Sequence, residues 1–351
     1  MTNKILRSEP LTRPWAGTDP FLFCAYHQDR YPASNGNQAI PANQLRGRAI
    51  GNDFSGLDGF SMYHGTEVPG FPAHPHRGFE TVTIVARGLV DHADSLGASA
   101  RYGDGDVQWL TAGRGVMHAE MFPLRSSDND NPLDLLQIWL NLPSHSKMAD
   151  PAFVMLWDSV IPRYRTATTA NAVAEVKVVA GPYHPQEEDG DPIVPPPATP
   201  DSWASNPDAD VAIWQIGLAP GARLTLPAAA GASTRRTLYF YAGDAITIDG
   251  AVQPGNRLIE VEAQATLELL NSGASDAEIL VLQGVPIAEP IVAQGPFVMN
   301  TREEIDQARR DFGRTQFGGW PWPEPGPVHE AGIGRFARHP GAAVLDLPTT
   351  V

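Results

Sequence analysis

The chain has 351 residues, 42% of them hydrophobic, which is enough for two compact units that each bury a core. Forty acidic against twenty-five basic residues leave a formal charge of −15, which excludes direct binding to a phosphate backbone, and thirty-three glycines with thirty-three prolines exclude a mainly helical fold. The single cysteine, Cys24, rules out an intramolecular disulfide and, with an N-terminus lacking an apolar secretory core, fits the cytoplasm; no run of about twenty apolar residues is present to cross a bilayer.

The first strong element is the β-branched run FETVTIVA from Phe79 to Ala86. LVDHADSLGASARYGDGDV then reads as a strand, a turn and a Gly-Asp-rich reversal, followed by strands at Val107–Thr111 and Leu135–Leu142. Short strands punctuated by turns predict an all-β barrel of the jelly-roll kind. The polar segment Pro143–Pro151, with proline at each end, is read as the connection to a second unit. Strands are predicted next at Glu175–Gly181 and Val211–Leu218, with the proline- and acid-rich stretch 184–203 between them as a long surface loop. ARLTLP, TLYFYAG, AITIDG, RLIEVE, TLELLN and EILVLQG follow as six short strands of a second barrel. A weak repeat, TIVARG ending at Gly88 and YFYAG ending at Gly243, makes the two barrels cousins. One helix is predicted late: Thr301 is its N-cap, Glu304 completes a capping box, Ile305, Ala308 and Phe312 share a face, and Gly313 stops it. The expected organisation is 1–145, 146–312 and an irregular tail, 313–351.

Successive strand side chains point to opposite faces, so residues two apart share one. His74-Pro75-His76 and His118-Ala119-Glu120 are two such pairs. On neighbouring strands they would aim three imidazoles and a carboxylate at one point. That donor set, without thiolate, suits Fe(II), Mn, Ni, Cu or Zn, and on an octahedral ion leaves about two positions open. A lone strand histidine is more often a hydrogen-bonded core or surface residue, and HPHRG alone reads equally as a polar turn. Three of ten histidines falling into two period-two pairs within the most glycine-punctuated β region favours the ligand reading.

The blocks HPHRGFETVTIVARGLVDHADSLG, GDVQWLTAGRGVMHAEM, LQIWLNLP and GPFVMNTREEI resemble the pirin family, a branch of the bicupins, over most of Asp19–Phe312. The resemblance implies two tandem cupin barrels, with an iron held by His74, His76, His118 and Glu120 in the first. The commoner cupin pattern would take its carboxylate from Glu80, four residues after His76; the resemblance passes that role to Glu120 and leaves Glu80 a supporting hydrogen bond. Counting back from Gly243 by the separation joining His74 and His76 to Gly88 lands on Ala229 and Gly231, so the second barrel is expected to be metal-free.

Other residues near these pairs admit two readings each. His92 lines the cavity or, as the better default, fills a structural place at a strand end. His64 and Arg77 orient a ligand or touch substrate, and the sequence does not decide. Gly113 and Gly115 in AGRG permit a tight backbone path toward His118. Trp109, Met117, Met121 and Trp139 pack the core by default or wall a pocket.

For function, the resemblance implies a dioxygenase that opens flavonols such as quercetin with molecular oxygen, with Glu120 as the base. An iron-dependent redox-sensing partner of a transcription factor or metabolic enzyme is the alternative, and a cupin of another class, such as an isomerase, the third. The expected partners are a polyphenol and O2, with a protein partner under the second reading, no nucleic acid and no membrane; a monomer is expected.

Overall fold

The computed structural model describes residues 4–185 and 190–349. It is built of strands, with one short α-helix among the described residues, near the C-terminus as expected, and it divides into two units: Met1–Cys24 with Val160–Ala288, and Ala25–Ser159 with Glu289–Val351.

In the second of these units two sheets face each other. Within this unit one orders the strands Ala152–Leu156, Val107–Thr111, Phe79–Arg87, Asn131–Asn141 and, from Ala25 on, the strand Phe21–Tyr31; the other orders Phe336–Arg338, Ser99–Gly103, Leu89–Asp94, Val116–Met121 and Gly70–His76. The central strands Phe79–Arg87, Leu89–Asp94, Ser99–Gly103, Val107–Thr111 and Val116–Met121 are covered along nearly their whole length, so their apolar residues are buried by this closure. Val85, Tyr102, Leu110, Val116, Phe122 and Leu135 meet between the sheets. The other unit repeats the plan around Trp214, Ile216, Leu238, Phe240, Ile259 and Ile279. Its edge strand is the chain's own beginning, Ile5–Pro10, paired antiparallel with Arg257–Val261. The fold is the expected pair of cupin barrels.

The boundaries differ from the sequence reading. Ala152–Leu156 pairs with Val107–Thr111, burying Phe153 and Met155, so Pro143–Pro151 is a turn inside a unit and the division moves from 145/146 to Ser159/Val160. Both ends change sides, the first twenty-four residues joining Val160–Ala288 and the last sixty-three joining Ala25–Ser159.

The capping box forms as expected: the Glu304 amide donates to Thr301 Oγ1 at 3.2 Å and the Thr301 amide to Glu304 Oε2 at 2.9 Å. The helix nevertheless runs Arg302–Thr315, through Gly313, and ends on Gln316 in the left-handed region at φ 46°. Gly313 is not left-handed, so it offers no stop. The tail is also less irregular than predicted, since Phe336–Arg338 adds to the Ser99–Gly103 strand. Of the stretch 184–203, the acidic centre 186–189 lies outside the described residues. Beyond it Ile193 pairs with Tyr183 against the core and Thr199 and Ser202 are buried, so this part packs where a surface loop was expected. Among the described residues no helix is long and apolar enough to cross a membrane.

Candidate metal centre

The HPH and HAE segments occupy adjacent antiparallel strands, Gly70–His76 and Val116–Met121, in a register that opposes His74 to His118. Gly70–His76 is the edge of its sheet. Along its outer side the amide of Ala73 donates to the Pro325 carbonyl at 2.7 Å and that of Arg77 to the Pro296 carbonyl at 3.3 Å. Pro75 sits between them, where a residue without an N–H leaves no gap in the ladder.

Ligand-capable atoms of His74, His76 and His118 all lie within 4.8 Å of one another. The Nδ1 of His74 is 2.9 Å from the Pro72 carbonyl, which can only accept, so Nδ1 carries the proton and Nε2 keeps its lone pair. His76 Nδ1 and both ring nitrogens of His118 are buried without a hydrogen-bond partner. Burial pulls the His74 imidazole down to about 4 and those of His76 and His118 well below the ordinary histidine range. All three are therefore neutral at pH 7, the form that ligates. Converging neutral imidazoles with unbonded nitrogens fit a cation and are otherwise unfavourable to bury.

Glu120 lies on the same face, two residues on from His118, with Oε2 3.7 Å from His118 Nε2. Gln137 Nε2 donates to Glu120 Oε1 at 3.0 Å and to Oε2 at 2.9 Å, while Thr83 Oγ1 is 3.4 Å from Oε1. Gln137 is held in turn: its Oε1 accepts from Trp139 Nε1 at 3.2 Å. Burial raises the Glu120 carboxyl above its ordinary value, and the Gln137 bond works against that rise. The Trp139 indole stacks on Phe79 at 4.0 Å and meets the His76 ring edge-on at 5.2 Å, so it walls the site.

Gln137 and Thr83 went unread in the sequence. The available signal was a glutamine sharing a face with Leu135 and Trp139 in an apolar run, and its register partner is Thr83. Glu80 is fully buried on the opposite face of its strand from Thr81 and Thr83, and accepts from Trp109 Nε1 at 3.1 Å and Thr111 Oγ1 at 2.7 Å. It supports the barrel wall, and Trp109 goes with it. His92 lies inside the sheet, not at its end: it opposes Glu120 in register, its ring is 5.6 Å from that of His118, and its Nε2 is 3.4 Å from Asp94 Oδ2. His64 is an exposed residue whose Nδ1 is 2.9 Å from the Gly51 carbonyl. Arg77 turns from the histidines to donate to the Arg114 carbonyl at 2.6 Å and Asp311 Oδ2 at 2.9 Å. Met117 and Met121 are buried. Gly113 and Gly115 take φ +47° and +131° where a Cβ would meet the Ala149 carbonyl at 2.2 Å and the Phe317 ring at 2.6 Å, so this tight path requires glycine.

The family model described as Pirin matches residues 15–140, and that described as Pirin C-terminal cupin domain matches residues 213–318. "Putative quercetin 2,3-dioxygenase PA2418" of Pseudomonas aeruginosa is 37% identical over 254 residues, 71% of this chain and 79% of that protein. The chain belongs to the pirin family. A second relative, Pirin of Homo sapiens, is 32% identical over 274 residues, covering 76% of this chain and 85% of its own length. A crystal structure of quercetin 2,3-dioxygenase from Acinetobacter baumannii matches with a TM-score of 0.66 at 26% identity, over 90% of this chain and 98% of that one. As a pirin-family bicupin, the chain has its cluster of three histidines in the barrel to which the Pirin model aligns.

Proposed function

We propose that this pirin-family protein holds one divalent transition metal, Fe(II) first among Mn, Ni, Cu and Zn, through His74, His76, His118 and Glu120, and uses it to open flavonol-type substrates such as quercetin with molecular oxygen in the cytoplasm. The observation that carries the reading is the meeting of three neutral imidazoles, two buried and that of His74 partly so, with the Gln137-bonded carboxylate of Glu120 3.7 Å from His118. The names of the relatives support the substrate class.

When bound, such an ion supplies Lewis acidity toward a hydroxyl next to a carbonyl and an electron partner for oxygen. The chain supplies the rest. His74 offers Nε2 because Pro72 holds its other nitrogen, and the His76 ring is fixed between Phe79 at 5.0 Å and Trp139 at 5.2 Å. Glu120 takes the proton of the substrate hydroxyl onto a carboxylate oxygen, and its burial makes that oxygen more basic than a surface carboxylate. Gln137 and Thr83 fix the direction in which it accepts. Phe79 and Trp139 present an apolar wall that keeps water from the deprotonated substrate.

The test is metal analysis of the protein as purified, joined to oxygen uptake with a flavonol panel. One iron per chain and oxygen consumed in step with loss of the flavonol absorbance is the expected result. An iron-loaded protein that consumes no oxygen with quercetin or its analogues overturns the flavonol reading, and one that takes up no metal overturns the site.

A further inference from the structure

The segment after the helix begins WPWPEPGP, a composition that cannot form a ladder of its own, and it lies beyond residues 213–318 that the C-terminal family model matches. It is nonetheless fastened at several points to the sheet that carries the histidines. The Pro325 carbonyl accepts from the Ala73 amide, one residue before His74, at 2.7 Å. The Trp322 indole donates to the carbonyl of Asp94 at 2.8 Å, and Asp94 is the register partner of His118. At Gly326 a side chain would begin 3.0 Å from the sulfur of Met121, in the His118 strand.

Farther on, the His329 amide donates to Asp91 Oδ2 at 2.8 Å, while Arg101, fully buried against Asp91 at 2.7 Å, donates to the carbonyls of His329, Glu330 and Ile333 at 2.9, 2.9 and 3.0 Å. The strand bearing His118 lies between the strand bearing His74 and the strand Leu89–Asp94. The segment bonds to both flanking strands and packs on the middle one, spanning all three.

We propose that residues 320–338 act as a positioning brace for the metal ligands, setting the spacing of the strands that carry His74 and His118 and thereby the affinity of the site. This rests on the metal reading above. Coupling between a brace and a bound ion is reciprocal, so an ion that gains affinity from the brace must hold the brace more tightly by the same factor.

The experiment is amide hydrogen exchange on the full-length protein without metal and loaded with Mn(II), together with the Mn(II) dissociation constant of Gly326→Val and Trp322→Phe. The first variant crowds the segment against the Met121 thioether, and the second keeps an aromatic ring and loses the indole donor. The expected result is slower exchange in 320–338 on loading, with exchange in the second barrel's Ala277–Gly284 strand unchanged, and about tenfold weaker Mn(II) binding in both variants with the metal-free melting temperature unmoved. Full Mn(II) uptake with unchanged exchange in 320–338 and unchanged affinity in both variants overturns the brace alone. No Mn(II) uptake by the unsubstituted protein overturns the metal reading and the brace with it.

Discussion

His118 has neither ring nitrogen bonded, and each buried polar atom left without a partner disfavours a fold by about 1–3 kcal/mol. His118→Leu should therefore melt, without metal, at a temperature no lower than the metal-free parent, and added Mn(II) should stabilise the parent and not the variant; paired thermal scans read both. Proton linkage gives a second outcome. Burial pulls His74 to about 4 from an ordinary value of 6.5 that the unfolded chain retains, so as pH falls the unfolded state takes up protons first. The stability of the metal-free protein is then complete on this account above pH 6.5 and drains away toward pH 4, with His76 and His118 acting in the same direction. Glu120, raised by burial, has the opposite sign: its contribution is complete below its ordinary 4.5 and is lost as pH rises from there through its raised value in the fold. Urea midpoints measured from pH 8 down to pH 4 should fall. Gln137→Leu removes the donor that favours ionised Glu120, and metal affinity should drop about 10- to 100-fold, read by competition with a chromophoric chelator. The four candidate ligands were legible because period-two spacing is written in consecutive residues. Gln137 and Thr83 were not, because what joins them is a register between strands more than fifty residues apart.

Elements are where local physics is most readable and also where it misleads. Val107–Thr111 appears in the structure with the bounds read from the sequence, a short run between glycine-containing turns that is buried at every position. Phe21–Tyr31 was missed because several of its apolar residues are only partly covered and the alternation blurs, and Arg163–Thr169 because it is polar and half exposed. Gly313 looked like a helix stop by identity alone, whereas the stopping conformation falls on Gln316. Gly115 shows the reverse case, a glycine whose conformation decides. Gly115→Ala combines a left-handed-region strain with a clash against Phe317 and should lower stability by about 1–3 kcal/mol while displacing the strand that begins at Val116. Chemical denaturation together with metal content measures both effects, and full metal content in a destabilised variant would detach the glycine from the site.

At the scale of the whole molecule, the two-barrel plan was legible and the ownership of the ends was not. Nothing in ILRSEP names a partner, and the ladder that holds it joins Ile5–Pro10 to Arg257–Val261, with Arg7 also bonded to Glu260 at 2.7 Å across 253 positions. The tail is equally remote from what it completes, with Trp157 donating to Asp346 and Arg335 to Asp106. A fragment ending at Ser159 should therefore fail to give a stable metal-binding barrel, whereas 25–159 and 289–351 produced together should recover it; circular dichroism and metal content of the two preparations decide.

The exchanged ends also order events in time. Chains leave the ribosome N-terminus first, so Ile5–Pro10 emerges long before Arg257–Val261 exists, and the histidine-bearing barrel stays open until Phe336–Arg338 has been made. The barrel that ends at Ala288 can therefore close first, while the histidine-bearing barrel waits for residues made after it. On the metal reading proposed above, ion capture thus follows the arrival of Phe336–Arg338 at its sheet and not the making of the histidine-bearing strands themselves.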